Sequence, residues 1–192
     1  MGLNLCAIDS TWERSMLMAR LVEFATPGGP TVIIVSTVAD MVRQVTDMAI
    51  SDKIDSLMIV GHGAPAYQGV GAGRSYDLTG DKSLQVDSLQ TSLTLLGTAA
   101  NLLPRLRGQF SLNGFVRLCG CRVAGTGSDS EFLPGVDGRI LLRAVSASLA
   151  GIPVEAYDFY QSAALVPTGL VGDLIRCQDN TCWTARPWYY PG

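Results

Sequence analysis

Short apolar runs alternate with stretches of helical periodicity along most of this chain, and turn residues separate them. Leu3 to Ile8 predicts a buried strand, ended by Asp9-Ser10-Thr11, which suits the cap of a helix from Trp12 to about Phe24. Pro27-Gly28-Gly29-Pro30 stops that helix. Thr31 to Ser36 is a β-branched run and predicts a second strand. A helix from about Val38 to Ile50 follows, with Met41, Val45 and Met48 on one face. Ile54 to Val60 predicts a third strand, closed by Gly61-His62-Gly63. The Gly-rich, polar segment Tyr67 to Lys82 reads as a hairpin or flap. From Ser88 to Leu103, the residues Leu89, Leu93, Leu96, Ala100 and Leu103 keep helical spacing. Phe115 to Cys119 predicts a fourth strand, and a loop with Gly125, Gly127, Pro134 and Gly135 comes next. Then follow a helix from about Gly138 to Ala150, a strand at Pro153 to Tyr157, and a β-hairpin within Leu170 to Pro187.

Strand–helix alternation with near-continuous apolar strands predicts an α/β fold: a mostly parallel sheet with helices on both faces and a C-terminal β-hairpin. The 192 residues fit one domain spanning the whole chain, 1–192. Hydrophobic residues make up 47% and charged residues 16%, enough apolar material for a sizeable core and no signature of disorder. The 14 Lys and Arg are scattered singly in a chain of net charge −3, which argues against a nucleic-acid surface or an anionic membrane as partner. No segment reaches the roughly 18 unbroken apolar residues of a membrane span. The start, Met1 to Cys6, lacks the basic region and long apolar run of a signal peptide. The expectation is synthesis in the cytoplasm, with export by a route independent of a signal peptide left open.

Five cysteines in a chain of this size predict reduced thiols as the default. Cys177 and Cys182 are the local exception, since they flank a turn-like stretch and could face each other across the hairpin.

The chemistry concentrates at two strand ends. Sheets of this kind place reactive groups in loops beyond the C-terminal ends of their strands. His62 lies just past the third strand and Cys121 just past the fourth, 59 residues later. A thiol reacts as thiolate, so a nucleophilic cysteine needs a base in reach, and His62 is the single histidine of the chain. Glycine after the histidine leaves the Gly63 N–H free to approach a ligand closely, as an oxyanion donor must. Taken singly, His62 also fits a strand-end residue bonded to a neighbour, and Cys121 a small buried hydrophobe. Together, in this order and topology, they point to a Cys–His dyad. Three rivals are weaker. There is no Gly-x-Ser-x-Gly elbow for a serine hydrolase. Cys119-x-Cys121 with Cys177 and Cys182 is too tightly spaced for a zinc knuckle. Gly69 to Gly73 does not link a strand to a helix as a nucleotide loop would. No metal and no cofactor is expected.

At Leu57-Met58-Ile59-Val60-Gly61-His62-Gly63 and Val116-Arg117-Leu118-Cys119-Gly120-Cys121-Arg122-Val123-Ala124 the chain resembles the caspase-like cysteine peptidases. These include metacaspases, separases and the self-cleaving protease domain of RTX toxins. The resemblance is nearest to a caspase-like domain found near the start of long, repeat-rich bacterial surface proteins, and it extends over most of the chain. It implies Cys121 as nucleophile and His62 as the base that activates it or protonates the leaving amine. It further implies an oxyanion hole from the N–H groups of Gly63 and Cys121, and a protein or peptide substrate. Relatives that cleave after Lys or Arg carry an acidic residue two positions before the nucleophile, where this chain has Cys119. Asp158 could supply an acidic pocket floor instead, or be a solvated loop residue. Tyr157 and Tyr160 could shape the pocket or serve as packing. The loop from Arg122 to Asp137 matches a processing loop, with Asp129 and Asp137 as candidate cut points. The alternative function is a catalytically inactive interaction module of a bacterial effector or surface assembly. Oligomeric state is not legible.

Overall fold

The computed structural model describes residues 2–11, 28–72, 81–86, 94–126, 135–158 and 172–185. The helix expected over Trp12 to Phe24 lies outside them, as do Asp129 and Tyr160.

A seven-stranded sheet forms the body of the molecule. Its strands are β1 (Leu3–Asp9), β2 (Thr31–Val35), β3 (Ile54–Val60), β7 (Phe110–Leu118), β8 (Val154–Tyr157), β9 (Leu174–Gln178) and β10 (Thr181–Ala185). Their order is β10-β9-β8-β7-β3-β1-β2. The five strands β8, β7, β3, β1 and β2 run parallel, and the β9–β10 hairpin joins antiparallel at the β8 edge. A separate antiparallel sheet is built from β4 (Gly63–Ala64), β5 (Tyr67–Gly69) and β6 (Ser83–Gln85). Of the segment expected to form a hairpin or flap, Tyr67 to Lys82, only β5 belongs to this sheet, and residues 73–80 lie outside the described residues.

Among the described residues three α-helices follow strands: α1 (Val38–Met48), α2 (Gly97–Leu102), which runs on into a 3-10 turn at Leu103–Leu106, and α3 (Arg139–Ser148). Thr37 caps α1, its hydroxyl accepting from the Asp40 N–H at 3.1 Å. Val38, Met41, Val42 and Val45 are its buried stripe. They share one core with Leu5 and Ala7 of β1, Leu57 and Ile59 of β3, Val116 and Leu118 of β7, and Leu141, Leu142 and Val145 of α3. Among the described residues, all helices thus lie on one face of the sheet. The crossovers from β2 to β3, β3 to β7 and β7 to β8 all step in the same direction along the sheet or over β1, and right-handed connections then put their helices on the same side.

The opposite face carries the alternate residues. Cys6 and Ile8 of β1 and Met58 and Val60 of β3 are buried there, with Val32 and Cys119 packed against them. Further along this face Arg117, Glu155 and Arg176 stand in register on β7, β8 and β9. The Glu155 carboxylate is fully buried and accepts from Arg117 Nε at 2.6 Å and Arg176 Nε at 2.8 Å. Both guanidiniums sit about the Phe115 ring, 5.6 and 5.5 Å from its centre. Burial opposes charge on Arg117, but the Glu155 carboxylate outweighs it and holds the guanidinium protonated.

Two expectations change. Of the helix predicted from Ser88 to Leu103, residues 88–93 lie outside the described residues, residues 94–96 are not helical, and the described helix starts at Gly97. Leu95 instead bridges Val86 of the small sheet, and Pro104 turns the final residues into a tighter 3-10 turn. The default of reduced thiols gives way at the exception the sequence named, the hairpin, where Cys177 and Cys182 face each other and are joined by a disulfide. Cys6, Cys119 and Cys121 are not disulfide-bonded.

Candidate active site

The chain leaves β1 for β2 on one side, whereas β3 and then β7 to β10 build the sheet outward on the other. The crevice between the C-terminal ends of β1 and β3 is therefore the topological switch point, where α/β sheets hold their ligands. Three neighbouring strands deliver residues to this edge. β1 ends at Asp9, β3 at Gly61-His62-Gly63, and β7 at Cys119-Gly120-Cys121. β3 and β7 are hydrogen-bonded neighbours, Ile59 opposite Leu118, and the ladder runs one step further as Cys119 N–H donates to Ile59 C=O at 2.8 Å.

Beyond the ladder the two loops touch backbone to backbone. A Cβ placed on Gly63 would lie 2.6 Å from Cys121 N and from Gly120 Cα and C, far inside van der Waals distance. A Cβ on Gly120 would lie 2.7 Å from Gly63 Cα. The glycines following His62 and preceding Cys121 are thus the contact that brings the two loops together, and only hydrogen side chains fit.

His62 is half-buried, and its carbonyl accepts from Gly69 N–H at 2.7 Å. Burial pushes its imidazole down and the Asp9 carboxylate pushes it up; burial wins, so the group titrates below its ordinary 6.5. The ring is therefore neutral at pH 7 and available to accept a proton. Asp9 itself is fully buried. Its Oδ1 accepts from Thr11 N–H at 2.8 Å and from Thr11 Oγ1–H at 2.6 Å, while Oδ2 faces Gly69, 3.7 Å from the position of a Cβ there.

Cys121 is half-buried, outside the disulfide, at the start of a tight turn. Arg122 after it adopts φ 53°, in the left-handed region, as does Ala66 at 61° in the turn between β4 and β5. Such conformations cost non-glycine residues about 1–3 kcal/mol and need surroundings that enforce them. The surroundings are visible. Ala66 N–H donates to Val123 C=O at 3.2 Å, Gly125 N–H to Arg122 C=O at 2.8 Å, and Ala124 N–H to Tyr157 C=O at 3.1 Å. The turn carrying Cys121 is therefore pinned to the turn after His62 on one side and to the end of β8 on the other.

The remaining expected site residues scatter around this pair. Gly63 and Cys121, the expected oxyanion donors, lie on the facing backbones. Cys119 points to the opposite face of the sheet, packed with Cys6, Ile8, Met58 and Val60, its Sγ 3.9 Å from the Arg117 carbonyl. Tyr157 is buried and contributes its carbonyl to the Cys121 turn. The Asp158 carboxylate accepts from Asp173 N–H at 2.8 Å, and the Asp158 backbone lies against Gly125. Asp137 is engaged by Arg139 through both carboxylate oxygens and bridges Thr126. Burial raises its carboxyl, the Arg139 hydrogen bonds and charge lower it further, and the result is below the ordinary range. The zinc alternative loses two ligands, because Cys177 and Cys182 are disulfide-bonded.

Two polar residues escaped the sequence reading. Asp9 reads as a helix cap, and its bonds to Thr11 are of that local kind. The signal that it does more is a charge ending an apolar strand at the switch point. Gln68 is fully buried in β5 and reaches the Cys121 loop, its Oε1 accepting from Gly120 N–H at 2.8 Å. Among the described residues no group of His, Cys, Asp and Glu is placed to hold a metal ion, and no helix is long and apolar enough to cross a membrane. No protein-family model, curated protein or solved structure matches this chain.

Proposed function

We propose that this chain is a caspase-like cysteine endopeptidase that hydrolyses a peptide bond in a protein substrate, itself included among the candidates. The observation that carries the reading is the backbone contact between Gly63 and Gly120, which joins the loops carrying the chain's single histidine and the Cys121 thiol at the edge where such sheets do chemistry. His62, neutral near pH 7, takes the Cys121 proton, and the thiolate attacks the substrate carbonyl carbon. The N–H groups of Gly63 and Cys121 stabilise the resulting oxyanion. The imidazolium then gives its proton to the departing amine, leaving an acyl-thioester on Cys121. Water, deprotonated by His62, hydrolyses that thioester and restores the thiol. Asp9 favours the imidazolium form that exists between the two proton transfers.

Specificity for Lys or Arg has no support at Cys119, which packs toward the other face. The bonded Cys177–Cys182 pair favours an oxidising destination, in keeping with export after cytoplasmic synthesis. The test is a peptide-library cleavage profile of wild type beside Cys121→Ala and His62→Ala. Cleavage present in wild type and absent from both folded variants supports the reading; equal cleavage in all three, or none in wild type, refutes it.

A further inference from the structure

Gln68 is a polar side chain with no exposure at all, set in the three-residue strand β5. A buried carboxamide costs free energy unless its donors and acceptors are matched. Here the partners also fix which end is which. Oε1 faces the Gly120 N–H at 2.8 Å, and Nε2 donates to the Gly69 C=O at 2.9 Å. Gly69 in turn donates its N–H to the His62 C=O at 2.7 Å. A continuous hydrogen-bonded path therefore runs from His62 through Gly69 and Gln68 to Gly120, the residue before Cys121. The amide lies so close that a Cβ on Gly120 would stand 2.8 Å from Oε1.

Gly120 must be glycine for the loops to meet, and a glycine backbone is the least able to hold its own conformation. Its dihedral angles aim the next N–H, that of Cys121. We infer that Gln68 is a positioning residue: its carboxamide fixes the Gly120 backbone so that the Cys121 N–H points at the oxyanion. This deepens the peptidase reading and rests on it for the catalytic consequence, but the clamp itself has an independent readout. Gln68 is buried behind the two loops and does not touch substrate, so its loss acts on turnover rather than on binding.

The experiment compares wild type with Gln68→Met, which keeps length without hydrogen bonds, and Gln68→Glu, which retains an acceptor for Gly120. Folding is verified by thermal melting. Amide hydrogen exchange at Gly120, cleavage of the best library peptide, and iodoacetamide labelling of Cys121 are measured on each. In Gln68→Met, Gly120 exchange accelerates and kcat falls about 100-fold, the scale of a lost oxyanion donor or a 1 Å misplacement, with KM little changed. Labelling of Cys121, which needs no oxyanion donor, stays within a few-fold of wild type. Gln68→Glu falls between the two in exchange and in kcat. Unchanged Gly120 exchange in folded Gln68→Met overturns the clamp whether or not the chain cleaves peptides. Accelerated exchange with undiminished kcat overturns its catalytic role, and accelerated exchange in Gln68→Met beside a wild type that cleaves nothing leaves the clamp standing while the peptidase reading fails.

Discussion

The contact between the two loops can be tested by adding one methyl group. In Gly63→Ala the new Cβ would lie 2.6 Å from three backbone atoms, Cys121 N and Gly120 Cα and C. Backbone cannot rotate aside as a side-chain tip does. To reach ordinary contact near 3.4 Å the loops must separate by about 0.8 Å. Forcing one methyl into a packed backbone contact costs about 1–3 kcal/mol. For a chain of this length that lowers the melting temperature by roughly 2–12 °C, leaving the protein folded at room temperature. Activity suffers far more. Misplacement of reacting groups by about 1 Å costs about 100-fold, and here thiol, base and one oxyanion donor shift together. The assay is kcat/KM for the preferred library peptide, with thermal melting and Cys121 alkylation in parallel. A drop of at least 30-fold with a melting loss inside that window is expected. Full activity in Gly63→Ala would show that the loops need not touch and would refute the argument from the glycine pair.

Three further perturbations probe other parts of the account. The single histidine gives one imidazole signal in a proton NMR titration: it titrates below 6.5 in wild type and lower still in Asp9→Asn, because the carboxylate favours the imidazolium. The acid limb of kcat/KM therefore also lies below 6.5, and because the unfolded chain binds this proton more readily, His62 makes stability decline as pH falls through 6.5 toward the folded value; an unchanged or raised titration in Asp9→Asn contradicts this. Glu155→Gln strands two guanidiniums on neighbouring strands and costs about 3–5 kcal/mol in denaturant unfolding, whereas a loss under about 1 kcal/mol would mean the buried charges are not coupled. Replacing Cys177 and Cys182 together by serine removes a short closed loop worth about 2 kcal/mol and leaves Cys121 alkylation unchanged, since the hairpin lies at the far edge of the sheet; a parallel loss of Cys121 reactivity would tie the hairpin to the site.

The sequence made the strand ends legible because period and position carry them. The runs ending at Ile8, Val35, Val60 and Leu118 are apolar enough to read directly, and their order places His62 and Cys121 at one edge. β7 is longer than expected, beginning at Phe110, because Ser111, Leu112 and Asn113 alternate without regard to burial and its pairing with β3 shifts register between Ile54 and Ser56. Leu112 is wholly exposed and carries no core signal. The leucine spacing misled next to Leu96, because Leu95 fills the core from a bridge to Val86 rather than from a helix. Asp9 and Gln68 were out of reach for a different reason. Their partners lie 53 and 52 residues away, and nothing in local pattern tells a satisfied cap or a strand glutamine from a residue reaching into a distant loop. The Cys177–Cys182 pairing was accessible, since both flank a turn of the length that sets them opposite.

The most direct measurement of the central claim is the rate of iodoacetamide labelling at Cys6, Cys119 and Cys121, followed by peptide mapping in wild type and His62→Ala. An imidazole beside a thiol can accept its proton as the thiol attacks. Cys121 should be labelled well ahead of Cys6 and Cys119, and the lead should vanish in His62→Ala. Equal, slow labelling of the three in wild type, or a lead that survives loss of the histidine, would contradict the dyad.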